Sequence, residues 1–326
     1  MLRAGLLPEW RRILPVQFFE GAAVALLFVM GLLFGSFLNV VIARVPYEQS
    51  IVTPRSRCPK CGHQLSWYEN IPIFSWLALR GRCRSCGEPI SWRYPAVELL
   101  TAALFMACLS RFGWGPELVL GLVLVLLLVP LTFIDLEHWI LPFSLTLPGI
   151  AAGLALSVPL GMPRLIDAAM GAAVGFLVFW GMEWLGEKIF KKEALGGGDK
   201  YLLALIGAFL TWKALLGIIF LSSLQGAVVG SLLLLIRGRA GPAPAEEPSP
   251  EQAPAPVVAQ ELQPPAQELQ PPSGEEEEEE DDWVPGPTNI PYGPWLSAAA
   301  LEVMLLGPWL AGVLPEPLGW LVAGPG

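Results

Sequence analysis

Long apolar runs, separated by short polar interruptions, dominate this chain. Mostly apolar windows fall near 18–42, 96–110, 117–134, 143–160, 166–185, 200–212, 214–236 and 294–314. A helix needs roughly 17–25 such residues to cross a bilayer. The pattern predicts an all-α polytopic membrane protein of about eight transmembrane helices. The second and sixth windows are short, and 200–236 also reads as one long segment. The first run continues through "LLFVMGLLFGSFLNVVIARVP" with no small-residue cleavage site, so it is not read as a cleavable signal.

Composition agrees: of 326 residues, 54% are hydrophobic and 15% charged, more apolar surface than a soluble domain of this length buries. Lys and Arg set the orientation, because cytoplasmic loops are enriched in both. Loop 43–95 carries eight, Arg44 to Arg93, and loop 186–200 carries Lys188, Lys191, Lys192 and Lys200. Both are assigned to the cytoplasm, with 135–142 and 237–293 beside them and the N-terminus outside. Arg3, Arg11 and Arg12 in the tail run against that rule.

The net charge of −9 owes much to "GEEEEEEDD" at 274–282, inside a Pro-, Ala-, Gln- and Glu-rich stretch. That composition buries too little to offset its ordering entropy. It reads as a disordered linker and a solvated spacer, not as a sign of a nucleic-acid partner. The expected organisation is a tail (1–17), a first helix with a cytoplasmic lobe (18–95), a membrane domain (96–239), the linker (240–288) and a last helix with its tail (289–326).

Four cysteines form two Cys-x-x-Cys knuckles, Cys58 with Cys61 and Cys83 with Cys86, each followed by a glycine. The spacing suits a tetrahedral Zn²⁺ site, and four thiolates leave no open position, so the metal is expected to be structural. A disulfide pair competes, but a cytoplasmic lobe keeps its thiols reduced. His63 is expected at the surface, and Cys108 as an apolar packing residue.

Carboxylates in or beside membrane spans are costly enough to be functional candidates. They are Glu98, Asp135, Glu137, Asp167, Glu183, Asp199 and Glu302. Asp135 ends the third run and Asp199 opens the sixth, so the orientation puts both on the cytoplasmic side, where they can meet. Two carboxylates at one site share one proton. One then acts as base toward water, and the other hydrogen-bonds the developing oxyanion. Gly196, Gly197 and Gly198 are expected to take positive φ and bring backbone close to a bound peptide. The plainer alternative makes Asp199 a helix cap and Asp135 an ordinary interfacial residue. Asp167 falls on the outer side and is left out of the pair.

"GGGDKYLLALIGAFLTW" resembles the Gly-x-Gly-Asp motif of prepilin peptidases, the membrane aspartic proteases of type IV pilus, competence and type II secretion systems. "GLLFGSFLNVVIARVP", the two knuckles, "RYPAVELLTA", "FIDLEHWILP" and "IPYGPWLSAAA" agree in order. The resemblance implies cleavage of prepilin or pseudopilin leaders at the cytoplasmic face of a bacterial inner membrane, with Asp135 and Asp199 as the catalytic pair. It also implies N-methylation of the new terminus with S-adenosylmethionine, by a region corresponding to about 31–95. No Gly-rich strand-to-helix loop marks a methyl-donor site.

Where the family often has Leu-Pro-Asp, this chain has Leu141-Pro142-Phe143, and Glu137 is the candidate replacement for the missing carboxylate. Glu98 reads as either a hydrogen-bonding or a substrate group; Gly35, Ser36 and Asn39 read equally as helix packing. The competing classes are a non-enzymatic scaffold docking partners through the lobe and linker, and a proton-coupled transporter. Nothing in the sequence indicates an oligomeric state.

Overall fold

Hydrocarbon offers no partner for backbone N–H and C=O groups, so apolar runs of this length close their hydrogen bonds internally as helices. The computed structural model describes residues 16–190, 196–237 and 290–313, with side chains from 21 to 189, 196 to 236 and 290 to 313. Most of the N-terminal tail and the linker at 240–288 lie outside the described residues. Among these, every long element is helical: α1 (Val16–Arg44), the short α2 (Phe74–Ala78), α3 (Arg93–Phe112), α4 (Pro116–His138), α5 (Phe143–Ser157), α6 (Met162–Phe190), α7 (Asp199–Arg237) and α8 (Gly293–Val313).

The chain divides into two compact units, Met1–Gly226 with Pro291–Gly326, and Ala227–Ile290. The first carries the cysteine lobe, between α1 and α3, and both aspartates of the predicted pair. Its core is formed by Leu124, Leu128, Leu131 and Ile134 of α4, Leu202, Leu205 and Ile206 of α7, and Ala299 and Val303 of α8. On α1 the exposed Leu26, Val29, Leu33 and Phe37 recur at helical spacing, a stripe suited to lipid.

Seven helices among the described residues are long and apolar enough to cross a membrane, against about eight expected. The difference lies in α7, where Thr211 sits at φ 68°, ψ 167° and splits the run into two helical segments. A straight helix would separate Asp199 from Ser222 by about 34 Å. Instead Asp199 interacts electrostatically with Asp135, Asp135 accepts the Gly293 N–H, and the hydroxyl of adjoining Tyr292 is hydrogen-bonded with Ser222 at 2.6 Å. The second segment therefore turns back toward the end where the first begins. The windows 200–212 and 214–236 are these two segments of one element.

Helices approach most closely where they carry glycine. Gly35 of α1 lies so near Glu98 of α3 that a Cβ would sit 2.6 Å from the Glu98 Cα. On the other side, Gly171 of α6 and Gly207 of α7 meet backbone to backbone.

Candidate active site

Asp135 lies in the last turn of α4, which stops where Trp139 takes a left-handed conformation and returns its N–H to the Asp135 carbonyl at 3.0 Å. Asp199 is the first residue of α7, and its N–H bonds Gly196 O at 3.0 Å. Both side chains are buried, each 6% exposed, and the two carboxyls interact electrostatically. The structure thus brings together the two residues that the sequence paired from helix ends.

The surrounding wall was less legible. Gly293, at the start of α8, donates its N–H to the Asp135 carboxylate. Its only sequence signal was the Pro-aromatic-Gly-Pro segment. The Leu141 side chain lies against both Gly198 and Gly293, joining the two carboxylate-bearing segments. Lys200 Nζ pairs with Glu183 Oε2 at 2.6 Å, and Glu183 lies within electrostatic reach of Asp199.

One expectation changes. None of Gly196, Gly197 and Gly198 takes positive φ. They form the tight entry to α7, with Tyr201 and Leu202 N–H groups returning to Gly198 O. At 198 a Cβ would meet Leu141 Cβ at 2.8 Å, so that position is small because of an internal neighbour. Glu137, the candidate replacement for the missing carboxylate, is engaged by the Arg93 guanidinium. Phe143 stands edge-on to Tyr201, ring centres 4.9 Å apart, and Tyr201 also meets Phe176 at 5.4 Å; an apolar wall replaces an acidic one. Asp167 binds Trp212 and Lys213 beside the Thr211 break, apart from the pair.

In the lobe, the four cysteine sulfurs lie within 4.8 Å of one another. Cys58 and Cys86 are 3.8 Å apart, and Cys61 and Cys83 3.9 Å. A tetrahedron with Zn–S near 2.3 Å has sulfurs about 3.8 Å apart, so the cluster fits a metal of that kind. The knuckles repeat one geometry. Cys58 N bonds His63 O and Gly62 N bonds Cys58 O; Cys83 N bonds Glu88 O and Gly87 N bonds Cys83 O. Gly62 and Gly87 hold φ of 71° and 75°, which favours glycine. The backbone N–H groups of Cys61 and Lys60 at the Cys58 sulfur hold that thiol down at about 7, toward the thiolate a metal binds.

His63 is half-buried and pairs with Glu69 Oε2 at 3.3 Å, so it is not among the clustered ligand atoms. The Ser66 N–H, and then His63, hold the Glu69 carboxyl below the usual carboxylate range. Cys108 is fully buried and packs beside Gly121. Gln225 donates to Glu302 at 2.5 Å.

Comparison with known proteins gives one direction. Residues 29–112 match the bacterial peptidase A24 N-terminal domain, and residues 122–231 match the type IV leader peptidase family. A prepilin leader peptidase/N-methyltransferase of Myxococcus xanthus is 57% identical over 316 residues, covering 91% of this chain and 94% of the relative. Proteins of the same name from Aeromonas hydrophila and Xanthomonas campestris are 42% and 44% identical, covering 65% and 64% of this chain and 82% and 81% of theirs. No solved structure matches.

Proposed function

This chain belongs to the prepilin leader peptidase/N-methyltransferase family, and from that premise we propose that Asp135 and Asp199 are the carboxylates that cut the leader. One carboxylate takes a proton from water as it attacks the scissile carbonyl. Its partner, protonated, donates a hydrogen bond to the oxygen that gains charge. The Gly293 N–H orients Asp135, and Lys200–Glu183 sets the charge beside Asp199. The observation that carries this reading is the burial of two interacting carboxyls from separate helices at one place.

The substrates are prepilins or pseudopilins, presented at the cytoplasmic face of a bacterial inner membrane. After the cut, the same chain methylates the exposed amine. S-adenosylmethionine supplies the methyl group. Cys58, Cys61, Cys83 and Cys86 would hold Zn²⁺, which would tie the two knuckles together. Gly196–Gly198 shape the approach to Asp199 through their compact turn.

Leader removal from a prepilin with a Gly-Phe junction, followed in liposomes by product mass, tests the assignment. Asp135→Asn and Asp199→Asn are each expected to slow cleavage by at least about 100-fold while remaining inserted and folded. Cleavage at the wild-type rate by either variant would overturn the role of that residue.

A further inference from the structure

Toward the end of the bundle away from the two aspartates lies a cavity of about 230 Å³. Three charged side chains line it: Arg111 from the last turn of α3, Glu117 from the first turn of α4 and Arg164 from the first turn of α6. Its remaining wall is apolar, with Leu124, Phe209 and Met304 among the lining residues. Along α4, Glu117 stands about 27 Å from Asp135. The cavity therefore takes no part in cutting the leader.

Charged side chains in a membrane bundle are costly and normally keep a partner. Among the described residues, Arg111, Arg164 and Glu117 form no ion pair. Arg164 gives one N–H to Phe209 O at 2.5 Å, two residues before the break at Thr211, where carbonyls lose helical partners. That bond accounts for one arm of one guanidinium. The Nε atoms of Arg164 and Arg111 are buried and have no hydrogen-bond partner. Buried donors left open are costly, and at a cavity wall they mark where a ligand completes the bonding. Asp167, whose charge reaches Arg164, is engaged by Lys213 at 3.7 Å and by Trp212.

The same end of the bundle carries the exposed Trp114 and Trp212, rings of the kind that sit at headgroup level in a bilayer. Guanidinium forks match phosphate oxygens, and a carboxylate accepts from an ammonium. A simple anion would satisfy the two arginines and be repelled by Glu117. A headgroup with one phosphate and one primary ammonium answers all three charges. We propose that this cavity binds the phosphoethanolamine headgroup of one membrane lipid, with its phosphate on Arg111 and Arg164 and its ammonium on Glu117. The lipid thus links the ends of α3, α4 and α6, whose charges no protein contact closes.

The test titrates full-length protein, stripped of lipid in detergent, with phosphatidylethanolamine, phosphatidylglycerol and phosphatidylcholine of one chain length, and counts bound lipid by native mass spectrometry. One phosphatidylethanolamine is expected to bind about tenfold more tightly than either of the others. Glu117→Gln is expected to erase that preference while phosphatidylglycerol binding holds. Arg111→Gln, which leaves the bond from Arg164 to Phe209 in place, is expected to weaken both lipids by about tenfold. Circular dichroism reports whether each variant has folded.

A phosphatidylethanolamine with a photoreactive headgroup gives a readout on wild type free of substitutions, with attachment expected within 111–121 or 160–164. Inorganic phosphate, added as competitor, is expected to leave the lipid bound. Equal binding of all three lipids by wild type, unchanged affinity in both folded variants, or attachment confined to other segments would overturn the assignment. Displacement of the lipid by phosphate would overturn it in favour of a free anion.

Discussion

A Cβ at position 293 would sit 2.5 Å from Asp135 Oδ2, closer than non-bonded atoms approach. Gly293→Ala must therefore push the carboxylate or the start of α8 aside. Displacements of this size at a reacting group cost on the order of 100-fold in rate. The expected outcome is a fall in kcat for leader cleavage, with KM little changed and the protein still inserted; steady-state kinetics on a prepilin would show it. Asp135 and Asp199 were legible because charges are rare in apolar runs and each marks a helix end. Gly293 was not, since its importance lies in a contact with a residue far away in sequence. The partner of Glu137 was hidden for the same reason: Arg93 belongs to another helix.

At the level of elements, the apolar windows located every long helix, but not how the last two windows before the linker are joined. That junction is Thr211, a β-branched residue in a backbone region that is nearly glycine's alone. Such strain costs of order 1–3 kcal/mol. Thr211→Gly is accordingly expected to raise the thermal unfolding midpoint in detergent, and a lowered midpoint would refute the strained conformation. The knuckles were legible from spacing, since two short turns with glycine at fixed offsets bring four sulfurs together without distant help. Cys58→Ser should reduce bound metal, measured by elemental analysis against protein, from one equivalent to well below it, and open the lobe to limited proteolysis.

Glu69 gives the lobe a pH dependence that the spacing did not reveal. Its carboxyl is held below its ordinary value by the Ser66 N–H and by His63, so its charged form stabilises the fold. That contribution is present above the unfolded carboxylate value and fades as pH falls through the depressed one. Glu69→Gln should destabilise the lobe near neutral pH, and the gap from wild type should close on acidification. Hydrogen exchange of the 56–70 amides at several pH values is the measurement.

Across the whole molecule, the order of motifs announced two kinds of chemistry, while the contacts among α1, the lobe and α3 showed no signature because they join residues far apart in sequence. Arg93 joins these parts. It precedes Tyr94, whose carbonyl accepts the Asn39 amide of α1 at 3.1 Å, and its guanidinium holds Glu137, two residues beyond Asp135. The packing of α1 on α3 and the proposed cutting site thus share one strut. On the proposed function, a cut substrate that stays bound through its apolar helix presents its new amine to the methyl-transfer region before it leaves, as an encounter within one complex. Diluting enzyme and product together in the bilayer should slow encounters with fresh substrate and leave the fraction of cut chains that become methylated unchanged.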